Sequence, residues 1–263
     1  MRNMEIGISW GAYKGLSVCD EIALLKETGF THFFPDSHNE NLAEIMTATA
    51  NAGIFCDTFH APFRGINAMW SEGEDGERMY SRLTEAVDRC ALYGVPVAIV
   101  HLSSGDNAPN INDTGINRFI ALVDYATSKG VKIAFENQRK LGNIAYAFEE
   151  CPNAVFCWDV GHEACFAYNR EFMPIFGEKL AALHIHDNFG VHEEDMHMLP
   201  FDASIDFTKA AKHIANSNFN GTVMLEVFAA TSGRYTDITP ADYYKRAAQA
   251  ARRISEMIAE FRK

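Results

Sequence analysis

VKIAFENQRKLGNIAYAFEECPNAVFCWD, residues 131–159, holds two apolar runs of strand length, 131–137 and 154–159, around a helical pattern over 142–150. The first run carries Glu136 at its carboxyl end and the second closes on Asp159. An ionised carboxylate ending an apolar strand pays a heavy desolvation cost unless something neutralises it. A strand, a helix and a second strand in this order form the repeating unit of a parallel sheet.

The unit recurs in both directions along the chain. Strands are expected also at 4–9, 30–34, 54–60, 96–102, 180–187 and 221–228, and helices near 19–28, 40–52, 75–93, 114–129, 163–176, 206–216 and 240–261. Ser17 with Asp20, and Ser37 with Glu40, have the spacing of capping boxes. Gly29, Gly94 and Gly130 read as helix stops. Eight alternations, with no GxGxxG or GxxxxGK[ST] phosphate loop, favour a closed (β/α)8 TIM barrel over a doubly wound open sheet. The length, 263 residues, suits one such barrel. No linker, repeat tract or charge block divides it, so residues 1–263 are expected to form a single α/β domain.

Six of the eight strands end, or nearly end, in a possible metal ligand: His60, His101, Glu136, Asp159, His184 with His186, and Glu226. In a closed parallel barrel these ends form one ring, where such barrels place their chemistry. Residues two apart share a strand face. Counting back from each ligand gives Thr58 and Cys56, Ile99 and Val97, Ala134, Cys157 and Val155, Ala182, and Met224 and Thr222. These are small or apolar, as a barrel interior requires, so the ligands point inward at the upper rim. Phe55, Phe59, Ile133, Phe135, Phe156 and Trp158 point outward, under the helices. Asp57 and Lys132 fit this pattern less well.

A lone histidine ending an apolar strand is more often a satisfied structural residue than a ligand, and His60 or His101 alone would carry little. Three carboxylates crowded on one rim are different, because they repel one another. A divalent cation among them removes both that cost and the desolvation cost.

Composition bounds the rest. Lys plus Arg number 23 against 35 for Asp plus Glu, a formal charge of -12. That balance repels a phosphate backbone and counts against nucleic acid as a partner. No apolar stretch approaches the roughly 18 residues of a membrane span, and the first residues lack the pattern of a signal peptide. Six scattered cysteines without a CxxC pair fit reduced thiols and a cytoplasmic location. The oligomeric state is left open, a homo-oligomer included. In the loop APFRGINAMWSEGEDGE (61–77), Trp70 and Met69 are candidates to close over a sugar face, with packing on a helix as the equal alternative. Arg64, and Arg139 with Lys140, are the basic residues near the rim and suit a small anionic substrate. His32, His38, His192 and His213 have no support beyond surface or structural roles.

FHAPF, VHLSSG, FENQ, CWDVGHE, HIHDN, DMHMLPFD and LEVF together resemble the motifs of the xylose-isomerase-like barrel superfamily, over nearly the whole chain. That superfamily includes sugar and sugar-phosphate isomerases and epimerases, inosose dehydratases, and abasic-site nucleases of the endonuclease IV type. The resemblance to its ketose 3-epimerases implies one divalent ion (Mn, Co, Mg or Zn) held by Glu136, Asp159, His184 and Glu226. It further implies proton transfer on a small sugar or keto-sugar through a metal-stabilised enediolate, with Glu136 and Glu226 as the catalytic acid and base. His162 then contacts substrate. Beside the resemblance, His60 and His101 are candidate substrate contacts, and His186, on the same strand face as His184, is a candidate to contact substrate, orient a ligand or join a second metal. Gly142 and Gly190 stand where those epimerases carry a glutamate and an arginine for a ketohexose, which puts a free ketohexose in doubt. The resemblance to the nuclease branch implies two or three zinc ions on His60, His101, Glu136, Asp159, His162, His184, Asp195, His197 and Glu226, and a phosphoester substrate. Dehydration or elimination from a keto-sugar shares the enolate route.

Overall fold

The computed structural model describes residues 3–263. Its strands are β1 (Ile6–Ser9), β2 (His32–Phe34), β3 (Phe55–Cys56), β4 (Thr58–His60), β5 (Val97–His101), β6 (Lys132–Glu136), β7 (Val155–Asp159), β8 (Leu180–His184) and β9 (Val223–Leu225). They form two parallel arcs, β3-β2-β1-β9 and β4-β5-β6-β7-β8. β3 and β4 are halves of one stave, interrupted at Asp57. Parallel bridges Asp36↔His60 and Ile185↔Leu225 join the arcs. The second seam is held by Ile185 N–H to Met224 O and Glu226 N–H to Ile185 O, both 3.0 Å. The result is an eight-staved closed barrel, the architecture expected from the alternation.

The helices are α1 (Val18–Thr28), α2 (Leu42–Ala52), α3 (Glu74–Tyr93), α4 (Asp113–Ser128), α5 (Leu141–Glu150), α6 (Val160–Phe166), α7 (Met173–Phe176), α8 (Phe207–Ala215) and α9 (Pro240–Phe261). Ser17 caps α1 as expected, its hydroxyl accepting the Asp20 N–H. Gly29 and Gly94 end α1 and α3 in the left-handed region. Ser37 is not a cap: α2 begins after Asn41, and Ser37 is buried on the β4 seam with its N–H on His60 O. The helix expected over 163–176 breaks in two, because Tyr168 and Asn169 adopt φ of 52° and 63°.

The two-residue alternation sorts the core as the strand pattern requires. Val97, Ile99, Ala134, Cys157 and Ala182 pack with Val155 as a small cluster of their own inside the barrel. Phe59, Ile133, Phe135, Phe156 and Trp158 belong to the larger layer beneath the helices. Phe55 departs from the outward set: it is 63% exposed and lies against the His32 ring, its cross-strand neighbour. Asp57 gains an account. It breaks the third stave at the lower end of the barrel, 3.6 Å from His32, beside a 290 Å³ hollow shared with Thr222 and Met224. Lys132 is exposed at the start of β6. Among the described residues no helix is long and apolar enough to cross a membrane.

Candidate metal centre

Parallel register brings the strand-end ligands side by side. His101 is the cross-strand partner of Glu136, and Asp159 that of His184. His60 ends β4, and Glu226 follows β9 directly. All six are buried. The ends of β6 and β7 are further locked by Asn137, whose amide accepts the Asp159 N–H and donates to the Asp159 carbonyl, both at 2.8 Å.

Glu136 is the hub. Its Oε2 lies 2.9 Å from His101 Nε2 and 3.4 Å from His60 Nε2. Its Oε1 lies 3.1 Å from His162 Nδ1 and 3.3 Å from His184 Nδ1. Burial pushes this carboxyl up, but the surrounding imidazoles, His101 and His184 foremost, overcome it and hold Glu136 well below the usual carboxylate range. Glu226 goes the other way. Burial raises it, the Glu136 and Asp159 charges add to that, and its carboxyl stands well above the usual range.

The loop after β8 brings a second set of donors. An antiparallel bridge, Asp187↔Met198, folds it back over the rim. The Asp187 carboxylate accepts N–H groups of Asn188, Ala203 and Ile205, so it organises the loop. His197 sits at φ 45° with Nδ1 3.0 Å from the Glu226 carbonyl. Asp195 Oδ2 then lies 3.1 Å from His197 Nε2 and 3.2 Å from His162 Nε2. Burial lowers the His162 imidazole, yet the Asp159 and Asp195 charges outweigh it and carry His162 well above its ordinary value.

Three of the donor groups at this rim, each with its ligand atoms within 4.8 Å of one another, take in all these residues: Glu136, Asp159, His184 and Glu226; His60, His101 and Glu136; His162, His186, Asp195 and His197. His60, His184 and Glu226 form a further, overlapping group. Donors about 2.1 Å from an ion lie at most about 4.2 Å apart, so small side-chain movements would close each group. Buried Asp159 Oδ2, His184 Nε2 and Asp195 Oδ1 have no hydrogen-bond partner. Buried lone pairs without donors are costly, and a cation at these positions would satisfy them. The residues therefore fit a divalent ion. His186 falls in the third group and stacks on His197 at 4.2 Å.

Above the donors is a cavity of 150 Å³. Arg139 reaches its wall already paired, its Nε 2.5 Å from Glu193 and 3.2 Å from Asp106. Lys140 donates to the Ala108 carbonyl, 2.9 Å away. Arg64 lines an adjoining hollow instead. Trp70 is corrected: it is 3% exposed, its indole N–H donates to Leu102 O, and its ring packs on Phe119. Met69 is equally buried. Gly115 on α4 admits the indole, since a Cβ there would lie 2.0 Å from a ring carbon. A large apolar ring gains more from that slot than from solvent; the phenyl rings at the cavity are buried Phe166 and exposed Phe63, which the sequence reading passed over. Phe63 is 45% exposed and stacked on His101 at 4.9 Å. Gln138 was also missed; its amide is 3.0 Å from His162 Nδ1. Both stand within quoted motifs, FHAPF and FENQ, and that proximity was the available signal.

The family profile described as xylose isomerase-like TIM barrel matches residues 22–257. A relative from Sinorhizobium fredii, an uncharacterized protein named y4fM, is 26% identical, covering 91% of this chain and 89% of its own. The fold is similar to L-ribulose 3-epimerase (TM-score 0.77, 13% identity, 98% of this chain and 96% of that one). It is also similar to D-psicose 3-epimerase from Clostridium cellulolyticum H10 (0.74, 13%, 99% and 100%). A third likeness is to 3-keto-D-glucoside 4-epimerase from E. coli (0.74, 16%, 95% and 99%). At these identities the likeness is one of fold.

Proposed function

Since the chain belongs to the xylose isomerase-like TIM barrel family, we propose that it is a divalent-metal-dependent isomerase or epimerase of a small sugar or sugar-derived carbonyl compound. The observation that carries this reading is the group Glu136, Asp159, His184 and Glu226, four buried donors within 4.8 Å at the base of a small cavity. A divalent ion bound there would supply Lewis acidity toward a carbonyl oxygen.

The chain's own residues supply the rest. Glu136 is an ionised carboxylate held by imidazoles, whereas the surroundings of Glu226 favour its protonated form. A divalent ion bound by both would favour the ionised form of each, so their suitability for acid and base roles rests on both lining the cavity. One takes the proton from the carbon next to the carbonyl and the other returns it. His162 and Gln138 face the same cavity and would orient substrate hydroxyls. Phe63 offers a flat apolar wall to C–H groups. The four side chains that would hold the ion are Glu136, Asp159, His184 and Glu226.

A second reading, a phosphoesterase with two or three zinc ions, is favoured by one observation: all nine donors of that set fall into the three groups above. The charge of -12 and the pairing of Arg139 count against a duplex substrate. Elimination from a keto-sugar would use the same two carboxyl groups.

Elemental analysis combined with solvent-deuterium exchange over a panel of ketoses and keto-sugars tests the choice. One metal per chain with deuterium at carbon is expected. Two or three metals per chain, with phosphate released from a diester and no exchange, would replace the isomerase reading by the hydrolase. E226Q should abolish exchange and weaken metal binding; unchanged exchange removes Glu226 from both roles.

A further inference from the structure

We infer that Arg64 and Arg82 form the receptor for an anionic group, a phosphate ester or a carboxylate, at the end of the substrate remote from the carbon that exchanges its proton. This rests on the small-sugar reading above. The metal-lined cavity holds 150 Å³, below the roughly 300 Å³ at which small-molecule pockets begin. His60 and Phe63, however, also line a second hollow of 310 Å³, whose rim carries Asp36, His38, Arg64 and Arg82. A substrate whose carbonyl lies over Glu136 and Glu226 finds space for its remaining atoms past Phe63, in that hollow.

Of the twelve described arginines, Arg78, Arg89, Arg118, Arg139 and Arg246 each pair with a carboxylate. Arg170, Arg234 and Arg253 lie over aromatic rings, and Arg252 and Arg262 donate to the Thr28 and Phe219 carbonyls. Arg64 and Arg82 make no such ion pair among the described residues. The bond between them is Arg82 Nη1 to the Arg64 carbonyl, at 3.5 Å, which sets one guanidinium beside the other residue's backbone. His38 is already engaged, with Nδ1 2.9 Å from Ser37 Oγ and Nε2 3.3 Å from Glu85. The Arg64 guanidinium, the rest of the Arg82 fork and the Asn39 amide N–H groups are thus the open donors of the hollow, and guanidinium forks match phosphate and carboxylate oxygens in bidentate geometry. Asp36, exposed on the same rim, would accept a substrate hydroxyl. Gly65, at φ 86°, turns the chain so that Ile66 is buried in the core while Arg64 stays at the rim.

The test is calorimetric titration of inorganic phosphate, and in parallel of acetate, into the metal-loaded full chain and its R64Q/R82Q variant, with metal content measured on both. Neither arginine belongs to a donor group, so metal content should match. Phosphate is expected to bind the variant at least about tenfold more weakly, the scale of one charge-assisted hydrogen bond lost. A larger loss for acetate than for phosphate assigns a carboxylate, and the reverse a phosphate ester. Equal phosphate affinity in the two proteins, or no binding to either, overturns the inference. R64K/R82K, which keeps the charge and loses the fork, reads the same difference if the glutamine pair folds poorly. A phosphate difference without deuterium exchange from any sugar would sink the isomerase reading and leave this subsite standing. Exchange confined to neutral sugars and insensitive to both variants would do the opposite.

Discussion

Glu21 gives a stability prediction whose size follows from the structure. It lies on α1, 3% exposed, and its Oε1 accepts the Gly11 N–H and the Tyr244 O–H, each at 2.7 Å. One side chain thereby ties the loop after β1 to the first and last helices. Burial is the dominant influence and raises its carboxyl from 4.5 to about 7, despite both hydrogen bonds. The folded protein therefore holds a proton that the unfolded chain has released between these two values. Stability from this group is complete below pH 4.5 and is lost as pH rises through about 7. Each tenfold change in proton affinity is worth roughly 1.4 kcal/mol, so ionised Glu21 costs about 3 kcal/mol above pH 8. E21Q keeps the oxygen that accepts both hydrogen bonds and cannot ionise. In urea unfolding, its advantage over wild type should be under about 1 kcal/mol at pH 5 and grow to about 3 kcal/mol at pH 8.5. Other titrating groups cancel in the difference between the two proteins. An advantage that stays constant with pH, or shrinks as pH rises, would refute the assignment of the proton to Glu21.

Three further outcomes are expected. Stripping divalent ions with a chelator should lower the thermal midpoint, since an ion present at 1,000 times its Kd adds about 4 kcal/mol to the folded state; superimposable melts with and without chelator would contradict a resident metal. G161A should cost about 1–3 kcal/mol by overpacking, because a Cβ there would lie 1.9 Å from the His186 ring. Its metal content should fall if His186 is a ligand, and wild-type melting would show that the contact is not tight. W70A should lose about 3–5 kcal/mol in urea unfolding, the cost of emptying a core site, and a loss near zero would return Trp70 to the cavity side.

The barrel was legible because its two periodicities are local. The alternation that put Ala134, Cys157 and Ala182 inside and Phe135, Phe156 and Trp158 outside is written along each strand, and backbone geometry enforces it. Helix ends were legible where a glycine or a capping serine decides locally, as at Ser17 and Gly29. They failed where a distant strand decides. Ser37 has the spacing of a cap, but its backbone is claimed by the β4 seam.

The site divides in the same way. From sequence alone came the candidate donors, since an apolar strand ending in Glu136 or Asp159 has few physical reasons to exist besides a counter-charge at its tip. Only the closed ring could decide which donors meet: cross-strand register sets His101 beside Glu136 and Asp159 beside His184. The folded loop from β8 adds Asp195 and His197 to His162. Tertiary packing also reversed the aromatics, burying Trp70 in a slot opened by Gly115 and leaving Phe63 at the mouth. A residue's chemistry travels with the chain, whereas its neighbours and its access to solvent are properties of the assembled surface, set by contacts between segments far apart in sequence.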